Sequence, residues 1–315
     1  MPKFSVIIPV FNRPALVREA IDSVLSQTYR DFEVIAVDDA STDETPLVLK
    51  NYVPAIHVIT LPTQSGCEVA RNAGAAAAHG DYLVFLDSDD LLFSWALETY
   101  DLAITATRQP ALLVSRLACF AQGPPTPAAG GPGDTVDIVV FKDYLSRDRT
   151  VIPSFSMIVV RRDLVASVNG FRQSTATTFN ASDQDFLLRV GCHGPAVLIE
   201  NPRTIAYRVH AGNSVRNIRR MCEGMQRLVD AERRGCYPGG RQRQLDRRAV
   251  IGKEVFWWSQ HALLQGQPGP ALKLFAAGFD MVLAKVMQRL RNPRRGSMPI
   301  TRLSRRDPHP NTAAD

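Results

Sequence analysis

The sequence predicts an α/β fold in which a mixed, mainly parallel sheet is flanked by helices, with a helical and basic C-terminal extension. Two observations predict it. Short apolar runs rich in β-branched residues alternate with segments whose apolar residues recur at helical spacing, and polar residues follow directly after the apolar runs. This alternation is typical of right-handed βαβ units and of a sheet that is covered on both faces.

The first ninety residues carry the alternation most clearly. The strands that we predict there cover residues 4–10, 32–37, 56–61 and 82–86. The helices that we predict between them cover residues 14–25, 45–52 and 68–78. The proline at position 14 suits the first turn of a helix.

The rest of the chain divides into three parts. The elements that we predict after residue 90 are a helix over 94–107, an apolar stretch over 111–120, a strand over 154–160 and a helix over 185–190. They complete a first domain, residues 1–213, which contains a flexible Pro- and Gly-rich loop over 122–133. Residues 214–290 have helical periodicity and many arginines, and the polar, basic tail 291–315 is predicted to be disordered.

The composition is typical of a soluble globular protein of 315 residues, with 45% apolar and 22% charged residues. No apolar run reaches the roughly 18–20 residues that a membrane-spanning helix needs. The N-terminus has no secretory cleavage site, and the five cysteines are scattered without a CxxC pair. We therefore expect a cytoplasmic protein with reduced cysteines.

The net charge of +6 hides an asymmetry along the chain. Residues 203–306 contain 22 Lys and Arg against 6 Asp and Glu, a balance of +16, and the rest of the chain has a balance of −10. A basic region of this kind favours nucleic acid, an anionic membrane or a polyanionic substrate as partner. Nucleic acid is not expected, because no recognised binding module accompanies the charge.

Acidic residues directly follow the second and fourth predicted strands: Asp38, Asp39, Asp87, Asp89 and Asp90. Because the carboxyl ends of parallel strands share one edge, these carboxylates would repel one another unless a cation or hydrogen-bond donors lay among them. Their spacing favours a divalent ion that keeps waters and substrate phosphates as further ligands. For Ser41 and Asp43, in the turn after the second strand, helix capping is the alternative. No GxGxxG or P-loop motif is present, so neither a dinucleotide fold nor a P-loop is predicted.

Four motifs give the chain a resemblance to a known family. They are Phe4-Ser-Val-Ile-Ile-Pro-Val-Phe-Asn12, Val37-Asp-Asp-Ala-Ser-Thr-Asp43, Gly66-Cys-Glu-Val-Ala-Arg-Asn-Ala-Gly74 and Phe85-Leu-Asp-Ser-Asp-Asp90. In order and spacing they resemble the motifs of the family 2 glycosyltransferases, over residues 3–213. The resemblance implies a GT-A fold, a nucleotide-diphosphate sugar as donor with UDP as the commonest nucleotide, Mn²⁺ or Mg²⁺, and inversion at the anomeric carbon. It also implies a nucleotide-sugar half, residues 1–90, and an acceptor half, residues 91–213.

The resemblance further implies a set of donor-binding residues: Pro9, Phe11, Asn12, Asp38, Asp39, Arg71, Asp87 and Ser88. Pro9 and Phe11 would line the base pocket, and Asp39 would hydrogen-bond the base with Asp38 alongside. Arg71 would reach the nucleotide or the diphosphate. These roles agree with the chemistry, because carboxylates accept from base N–H groups and a guanidinium pairs with phosphate. The alternative for Arg71 is a salt bridge on the surface of its helix.

The metal ligands that the resemblance implies are Asp87, Asp89 and His210. Asp87 and Asp89 would form the DxD pair, with the first directed to the ribose and the second to the metal. His210 lies in Tyr207-Arg-Val-His-Ala-Gly-Asn-Ser214, which resembles the late histidine segment of the family. A purely structural histidine is the alternative.

The segment Phe179-Asn-Ala-Ser-Asp-Gln-Asp-Phe-Leu-Leu-Arg189 resembles the part of the family in which a Glu-Asp pair opens a helix. The catalytic base falls on Asp183, which would take the proton of the acceptor hydroxyl. Ser182 stands where the family has glutamate, so Asp185 is kept as the alternative base. Capping of the helix by Asp183 is the structural alternative.

These features predict a metal-dependent, inverting glycosyltransferase for cell-envelope polysaccharide, glycolipid or other glycan. Single-sugar addition is expected, because Gln226 and Arg227 lack the rest of the QxxRW signature of processive members. The acceptor would contact residues 122–172, where loops vary too freely to identify it. One alternative is a sugar-nucleotide nucleotidyltransferase, which would need a Gly-rich loop after the first strand. Another is a non-catalytic nucleotide-sugar-binding protein, an alternative raised by Ser182.

The C-terminal helices add an expectation about partners. Over residues 269–290 the apolar residues of one helical face are Leu272, Phe275, Ala276, Phe279, Val282, Leu283 and Val286. Such a face can lie peripherally on an anionic membrane and bring the enzyme to a lipid-linked acceptor. It can equally pack on the catalytic domain or on a second subunit of a homo-oligomer. The expected partners are thus a nucleotide sugar, a glycan or lipid-linked acceptor, and a membrane or a second copy.

Overall fold

The central sheet begins with four parallel strands, β1 (Phe4–Val10), β2 (Phe32–Asp38), β3 (His57–Thr60) and β4 (Tyr82–Phe85). Helices α1 (Pro14–Leu25), α2 (Thr45–Lys50) and α3 (Cys67–Ala77) connect them. The computed structural model describes residues 1–121, 133–146, 154–173, 181–291 and 298–305. All seven of these first elements are predicted from the sequence, with small differences at their ends.

Local chemistry explains why these residues form these elements. Every residue of β1 is buried, as expected of a strand with helices on both faces of its sheet. Pro14 opens α1, where its missing N–H group has no helical partner to lose. Gly74 allows α3 to pack directly on β1, since a Cβ at this position would lie 2.5 Å from Cγ2 of Ile7. This close packing brings Arg71, one turn earlier on α3, to the end of β4.

The remaining elements are, in chain order, β5 (Leu91–Leu92), α4 (Ala96–Ala106), β6 (Leu112–Ser115), β7 (Leu117–Phe120), β8 (Thr135–Phe141), β9 (Ile158–Arg161), α5 (Arg162–Ser167), α6 (Ser182–Val190), β10 (Ala196–Asn201), β11 (Ile205–Arg208), α7 (Ile218–Arg233), α8 (Gln244–Leu264), α9 (Pro268–Arg291) and β12 (Thr301–Ser304). The sheet has nine strands in the described residues, in the order β12-β8-β10-β6-β9-β4-β1-β2-β3. Only β8 and β9 run against the common direction. The predicted fold class is therefore confirmed, although the sequence analysis does not predict β8, β10 or β11 as strands.

Two features of the topology bring chemical groups to the end of β4. β9 runs antiparallel to β4, so the residues before β9, Ser156 among them, lie beside the residues after β4. β5, β7 and β11 form a second, three-stranded sheet in which β11 pairs with both of the others. This small sheet carries Arg208 and His210 to Asp89 and Asp90.

The helices α7, α8 and α9 form the C-terminal region. Gly252 of α8 lies against the backbone of Met281 in α9, and Gly278 of α9 lies against Val255 in α8. A Cβ at either glycine would approach its neighbour to less than 3 Å, so the two helices are in close contact along their length.

Polar contacts attach this region to the sheet. Arg243 donates from Nη2 to Oδ1 of Asp143 over 2.8 Å. The buried Tyr237 donates its hydroxyl proton to Oδ1 of Asp185 over 3.0 Å. The second contact ends on α6, the helix that carries both predicted catalytic carboxylates.

The prediction of a disordered tail over 291–315 is wrong for its described part. β12 pairs antiparallel with β8 and so covers the edge of the sheet. Leu303 is buried, Arg302 donates to Asp137 over 2.7 Å, and Arg305 donates to Thr99 over 2.8 Å. One buried apolar side chain and two arginine contacts thus stabilise a strand in a segment of polar composition.

Two further expectations concern the loop over 122–133 and membrane-spanning helices. The predicted loop over 122–133 lies outside the described residues, except for residue 133. Within the described ranges, no helix combines the length and the apolar character that crossing a membrane requires. The two longest helices, α8 and α9, have 21 and 24 residues, and charged residues interrupt their apolar ones.

Candidate active site

The ends of β1, β2 and β4 meet at one edge of the sheet, as their parallel order requires. The backbone N–H of Asp39 donates to the carbonyl of Val10 over 2.9 Å, and that of Leu86 donates to Ile7 over 3.0 Å. These bonds hold the three polar segments that follow the strands next to one another. We call these segments, residues 11–13, 38–43 and 87–90, the acidic edge.

Asn12 joins the first two segments. Its φ angle is +50°, a conformation that asparagine adopts more readily than most residues. Its side-chain oxygen accepts from the N–H of Thr42 over 2.8 Å, and its own N–H donates to the hydroxyl of Ser41 over 2.9 Å. Asn12 and Ser41 therefore fix the shape of the edge, and Ser41 does not cap α2.

The two aspartates after β2 differ in their hydrogen bonding. Both carboxylate oxygens of Asp39 accept backbone N–H groups, from Ser65 over 2.7 Å and from Gly66 over 2.8 Å. Asp38 accepts from the N–H of Ser41 with one oxygen, while its buried Oδ2 has no hydrogen-bond partner in the described part of the chain. A buried acceptor without a donor is costly, so Asp38 has the greater unused capacity for a ligand. That Asp39 binds the base stays a prediction.

Arg71 is a buried cation at the end of β4. Its Nη2 donates to Oδ1 of Asp87 over 2.6 Å, and its guanidinium lies 3.7 Å from the ring centroid of Phe155. Its Nε and Nη1 atoms are buried and have no hydrogen-bond partner among the described residues. The surface salt bridge considered for Arg71 is therefore not what the structure has. The free N–H groups suit an anion.

Asp89 is held between two cationic or donor groups. Nη1 of Arg13 donates to its Oδ2 over 2.6 Å, and Nε2 of His210 lies 3.0 Å from the same oxygen. Nδ1 of His210 accepts from the N–H of Gly212 over 3.1 Å, so the proton of the neutral ring sits on Nε2 and is donated to Asp89.

Asp90 lies beneath the other two carboxylates of its segment. It accepts from the hydroxyl of Ser156 over 2.7 Å and from the backbone N–H of Arg208 over 3.0 Å. Burial, together with the charges of Asp87 and Asp89, raises its pKa well above the usual range. Its position, buried and fully hydrogen-bonded, indicates a structural role that links β9 and β11 to the acidic edge.

The predicted metal ligands meet only in part. In the described ranges no group of three or more His, Cys, Asp and Glu side chains could by itself hold a metal ion. Oδ2 of Asp89 and Nε2 of His210 nevertheless lie 3.0 Å apart, and oxygen and nitrogen atoms of this kind are suitable ligands for Mn²⁺. Asp87 faces Arg71 instead. Two protein ligands with water and phosphate as the others fit the way hard cations bind.

Asp183 is the second residue of the helix α6 and is partly buried. Its pKa is raised to about 7, mainly by burial and in part by the charges of Glu254 and Asp87, while the bond from the Gln184 N–H and the charge of Arg71 act in the opposite direction. Asp183 thus lies within the electrostatic reach of Arg71 and Asp87. A carboxyl group with a pKa near 7 suits a general base.

Asp185, the alternative base, is buried and occupied. It accepts from Arg172 over 3.0 Å, from Arg189 over 2.8 Å and from the hydroxyl of Tyr237 over 3.0 Å. A carboxylate with three donors has little capacity left for a substrate hydroxyl. The geometry therefore favours Asp183, while neither assignment is tested.

The other predicted donor-binding residues lie in the acidic edge or directly beside it. Pro9 is buried in β1 and Phe11 is partly exposed just beyond it. Ser88 is buried between the two members of the DxD pair. Their contact with a nucleotide stays a prediction.

The sequence analysis does not assign three residues of this site, Arg13, Phe155 and Glu254. Arg13 had a local signal, since a basic residue directly follows the first strand at an acidic edge. Phe155 and the buried Glu254 had none, because their positions depend on an antiparallel strand and on a distant helix.

A cavity of about 690 Å³ lies at the opposite edge of the sheet. Lys3, Tyr82 and Gly170 are among the residues that line it. Of its three cations, Arg161 pairs with Asp163 and Lys3 pairs with Asp101, and Arg162 donates to the carbonyl of Gly80 over 2.8 Å. We place no catalytic chemistry there.

The comparisons with solved structures give the fold. The chain superposes on Staphylococcus aureus TarS in complex with UDP-GlcNAc with a TM-score of 0.66 and 21% identity, over 92% of this chain and 85% of that one. It superposes on the mannosyltransferase PcManGT from Pyrobaculum calidifontis, in complex with GDP-Man and Mn²⁺, with a TM-score of 0.56 and 18% identity, over 93% and 81%. The protein thus has the GT-A fold, as predicted.

The sequence comparisons give the family. Residues 5–126 match the model of glycosyl transferase family 2. We therefore assign this segment to that family, which confirms the predicted family.

Two of the curated relatives illustrate how far the sequence similarity extends. One is the Staphylococcus aureus poly(ribitol-phosphate) β-N-acetylglucosaminyltransferase TarP, 44% identical over 103 residues, which are 31% of this chain and 32% of that protein. Another is the Campylobacter jejuni GalNAc(5)-diNAcBac-PP-undecaprenol β-1,3-glucosyltransferase, 39% identical over 103 residues, 31% of this chain and 33% of that protein. The match thus spans about a third of the length of these relatives.

Proposed function

We propose that the protein transfers a sugar from a nucleotide-diphosphate sugar, with UDP as the nucleotide, to a hydroxyl group of a cell-envelope glycan or lipid-linked acceptor. The observation that carries this proposal is the arrangement of the acidic edge, where Arg71 and Asp38 have unused hydrogen-bonding atoms beside the Asp89–His210 pair. The names of the relatives and the UDP-GlcNAc in TarS support it.

Arg71 and Arg13 would bind the diphosphate of the donor. Two nitrogens of Arg71, Nε and Nη1, have no hydrogen-bond partner among the described residues, and the third, Nη2, donates to Asp87. Arg13 lies on the far side of the edge, at Asp89. Two guanidinium groups on either side of a diphosphate would position it and neutralise part of its charge.

Asp89 and His210 would hold the divalent cation. When bound, such a cation stabilises the negative charge of the diphosphate leaving group. Binding through Nε2 would require the ring proton of His210 to move from Nε2 to Nδ1, which could then no longer accept from the N–H of Gly212.

Asp183 would act as the base of an inverting transfer. The acceptor oxygen attacks the anomeric carbon, its proton passes to the carboxylate of Asp183, and the bond between the carbon and the diphosphate breaks with its electron pair on the diphosphate. The raised pKa of Asp183 makes its carboxylate a stronger proton acceptor than an exposed aspartate.

Donor binding and turnover test this function. A thermal-shift screen of UDP-GlcNAc, UDP-glucose and GDP-mannose with Mn²⁺ should give one donor that raises the melting temperature, because ligand binding stabilises the folded state. That donor should be hydrolysed slowly in the absence of acceptor. Binding without hydrolysis or transfer would indicate a non-catalytic binding protein. Pyrophosphate release from a sugar 1-phosphate and a nucleoside triphosphate would indicate a nucleotidyltransferase.

A further inference from the structure

The C-terminal helices expose an apolar surface to solvent. Its residues on α8 are Phe256, Trp257, Leu263 and Leu264, and those on α9 are Leu272, Phe279, Leu283, Val286, Met287 and Leu290. Their exposed fractions range from 40% to 77%. We call these ten residues the outer face. Apolar side chains clustered in this way mark an interaction surface more often than scattered ones do.

The outer face is not a consequence of poor packing of these helices. α9 buries a different side, formed by Ala271, Leu274, Gly278, Met281 and Ala284, against its neighbours. Of the apolar face expected from the sequence, Leu272, Ala276, Phe279, Leu283 and Val286 are exposed, whereas Phe275 is partly buried and Val282 packs against the core. Five members of the outer face on α9 follow one another at helical spacing over five turns, which forms a continuous stripe.

The charges around the outer face are positive. Of the acidic residues of α8 and α9, Asp246 accepts from Arg243 over 2.9 Å, Asp280 accepts from Arg233 over 2.8 Å, and Glu254 is buried. Lys273, beside Leu272 on α9, is exposed, and so are Arg220 on α7 and Arg234, which directly follows α7.

A cavity of about 270 Å³ lies between α7 and the N-terminal end of α9, where Lys273 is located. Arg219, Gln226 and Lys273 are among the residues that line it. Arg219 also pairs with Glu223 over 3.2 Å, and Glu223 lines the cavity as well, so the cavity is lined by cationic, acidic and polar groups.

The combination of an apolar stripe with adjacent cations selects one kind of partner. We propose that the outer face rests on the surface of an anionic phospholipid bilayer, with its apolar side chains at the boundary of the acyl chains and Lys273 and the α7 arginines at the headgroups. A second copy of the chain is disfavoured as occupant, because a symmetric contact would bring the same positive charges together.

Vesicle binding by the full-length protein tests this proposal. The protein should sediment with vesicles of phosphatidylcholine mixed with phosphatidylglycerol, and much less with pure phosphatidylcholine. Phe279→Asp with Leu283→Asp should lower the partition coefficient by roughly tenfold or more, since two apolar side chains no longer enter the bilayer. Leu47→Asp, which changes an exposed leucine on α2, should bind as the wild type does. The emission of Trp257 should also shift to the blue on binding.

Three results would overturn the proposal. One is that the full-length protein does not bind the anionic vesicles, and another is that the doubly substituted variant binds them as well as the wild type. The third is a wild-type dimer that the two aspartates convert to a monomer without any change in vesicle binding. Since all three substituted residues are exposed, melting temperatures should stay close together, and donor binding measured in parallel keeps this proposal separate from the proposed function.

Discussion

Two neighbouring regions of the molecule use buried charge in opposite ways. At the acidic edge, Arg71 and Asp38 keep buried polar atoms without partners in the described chain. At the α6 anchor, which we define as Arg172, Asp185, Arg189 and Tyr237, one carboxylate accepts from all three of the other residues. The first region has hydrogen-bonding capacity left for a ligand. In the second, the carboxylate of Asp185 uses its capacity to hold the fold together, and Nη2 of Arg189 has no partner among the described residues.

The same contrast in hydrogen bonding distinguishes the roles of the two carboxylates of α6. Asp183 and Asp185 are two residues apart on the same helix, yet only Asp183 is partly exposed and without an arginine partner in the described residues. We therefore expect substitutions of Asp183 to change the rate and substitutions of Asp185 to change the stability.

Replacing Asp183 by asparagine should have the largest effect on catalysis. Asp183→Asn should lower turnover by roughly 10²–10⁴-fold, the usual contribution of a general base, and leave the dissociation constant of the donor unchanged. Steady-state kinetics and calorimetry measure the two quantities.

Asp185→Asn is the control for that substitution. It leaves the buried Arg189 without its charge partner, which typically costs about 3–5 kcal/mol of unfolding free energy. Its melting temperature should fall clearly, while the turnover of the folded fraction should fall only a few-fold. If instead Asp185→Asn lost turnover without losing stability, the two roles would have to be exchanged.

The pH dependence of the rate should follow the raised pKa of Asp183. A base must be ionised, so kcat/KM should fall roughly tenfold for each pH unit below the pKa of about 7 and level off above it. This acid limb should be absent from the residual activity of Asp183→Asn. An unchanged acid limb in the variant would show that another group limits the rate.

The same pKa predicts an opposite trend for stability. The folded state holds the proton more tightly than the unfolded state, whose aspartate has the ordinary value of 3.8. The contribution of Asp183 to stability is thus complete below about pH 4 and is lost as the pH rises through about 7. The melting temperature of Asp183→Asn relative to the wild type should therefore increase across this range.

Removing the carboxylate of Asp89 should abolish the effect of metal on donor binding. We expect Mn²⁺ to strengthen donor binding by the wild type and to have almost no effect on Asp89→Ala. The loss in affinity with Mn²⁺ should be roughly tenfold or more. Isothermal calorimetry with and without Mn²⁺ measures it.

Asp43→Ala provides the matched control at the same edge, since Asp43 only accepts from the N–H of Thr45 over 2.8 Å. This variant should lose some stability and keep the effect of Mn²⁺. An effect of Mn²⁺ that survived in Asp89→Ala would move the cation away from the Asp89–His210 pair.

Much of the acidic edge could be predicted from the sequence because it is built from local patterns. Each of its segments directly follows a buried strand, so the periodicity of β1, β2 and β4 places Asp38 and Asp89 at the same edge. The hydrogen-bond partners of these groups were not predictable in the same way. That Asp39 binds the loop amides of Ser65 and Gly66, for example, depends on the conformation of a turn.

The remaining differences arise from long-range packing. β12 pairs with β8 across more than 160 residues of sequence, and its polar composition resembles that of a disordered tail. On α9 the hydrophobic periodicity predicts which residues share an apolar face, but it does not predict what that face contacts. Small residues such as Gly278 take the buried side there, and the larger apolar residues stay exposed.

The smallest effect should come from the α6 anchor itself. Tyr237→Phe removes one hydrogen bond to a buried carboxylate, which costs about 1–3 kcal/mol of unfolding free energy. Because Arg172 and Arg189 still hold Asp185, kcat should fall only a few-fold, without a change in the donor dissociation constant.

Tyr52→Phe offers a matched control for this substitution. Its hydroxyl donates to Asp22 over 2.7 Å, but that pair is exposed and far from the acidic edge. Tyr52→Phe should therefore change neither kcat nor the melting temperature by a comparable amount, because water replaces an exposed hydrogen bond at little cost. Equal effects of the two substitutions would mean that the C-terminal region does not position α6, and the difference between the three bonds to Asp185 and the unused atoms of the acidic edge would then have no functional consequence.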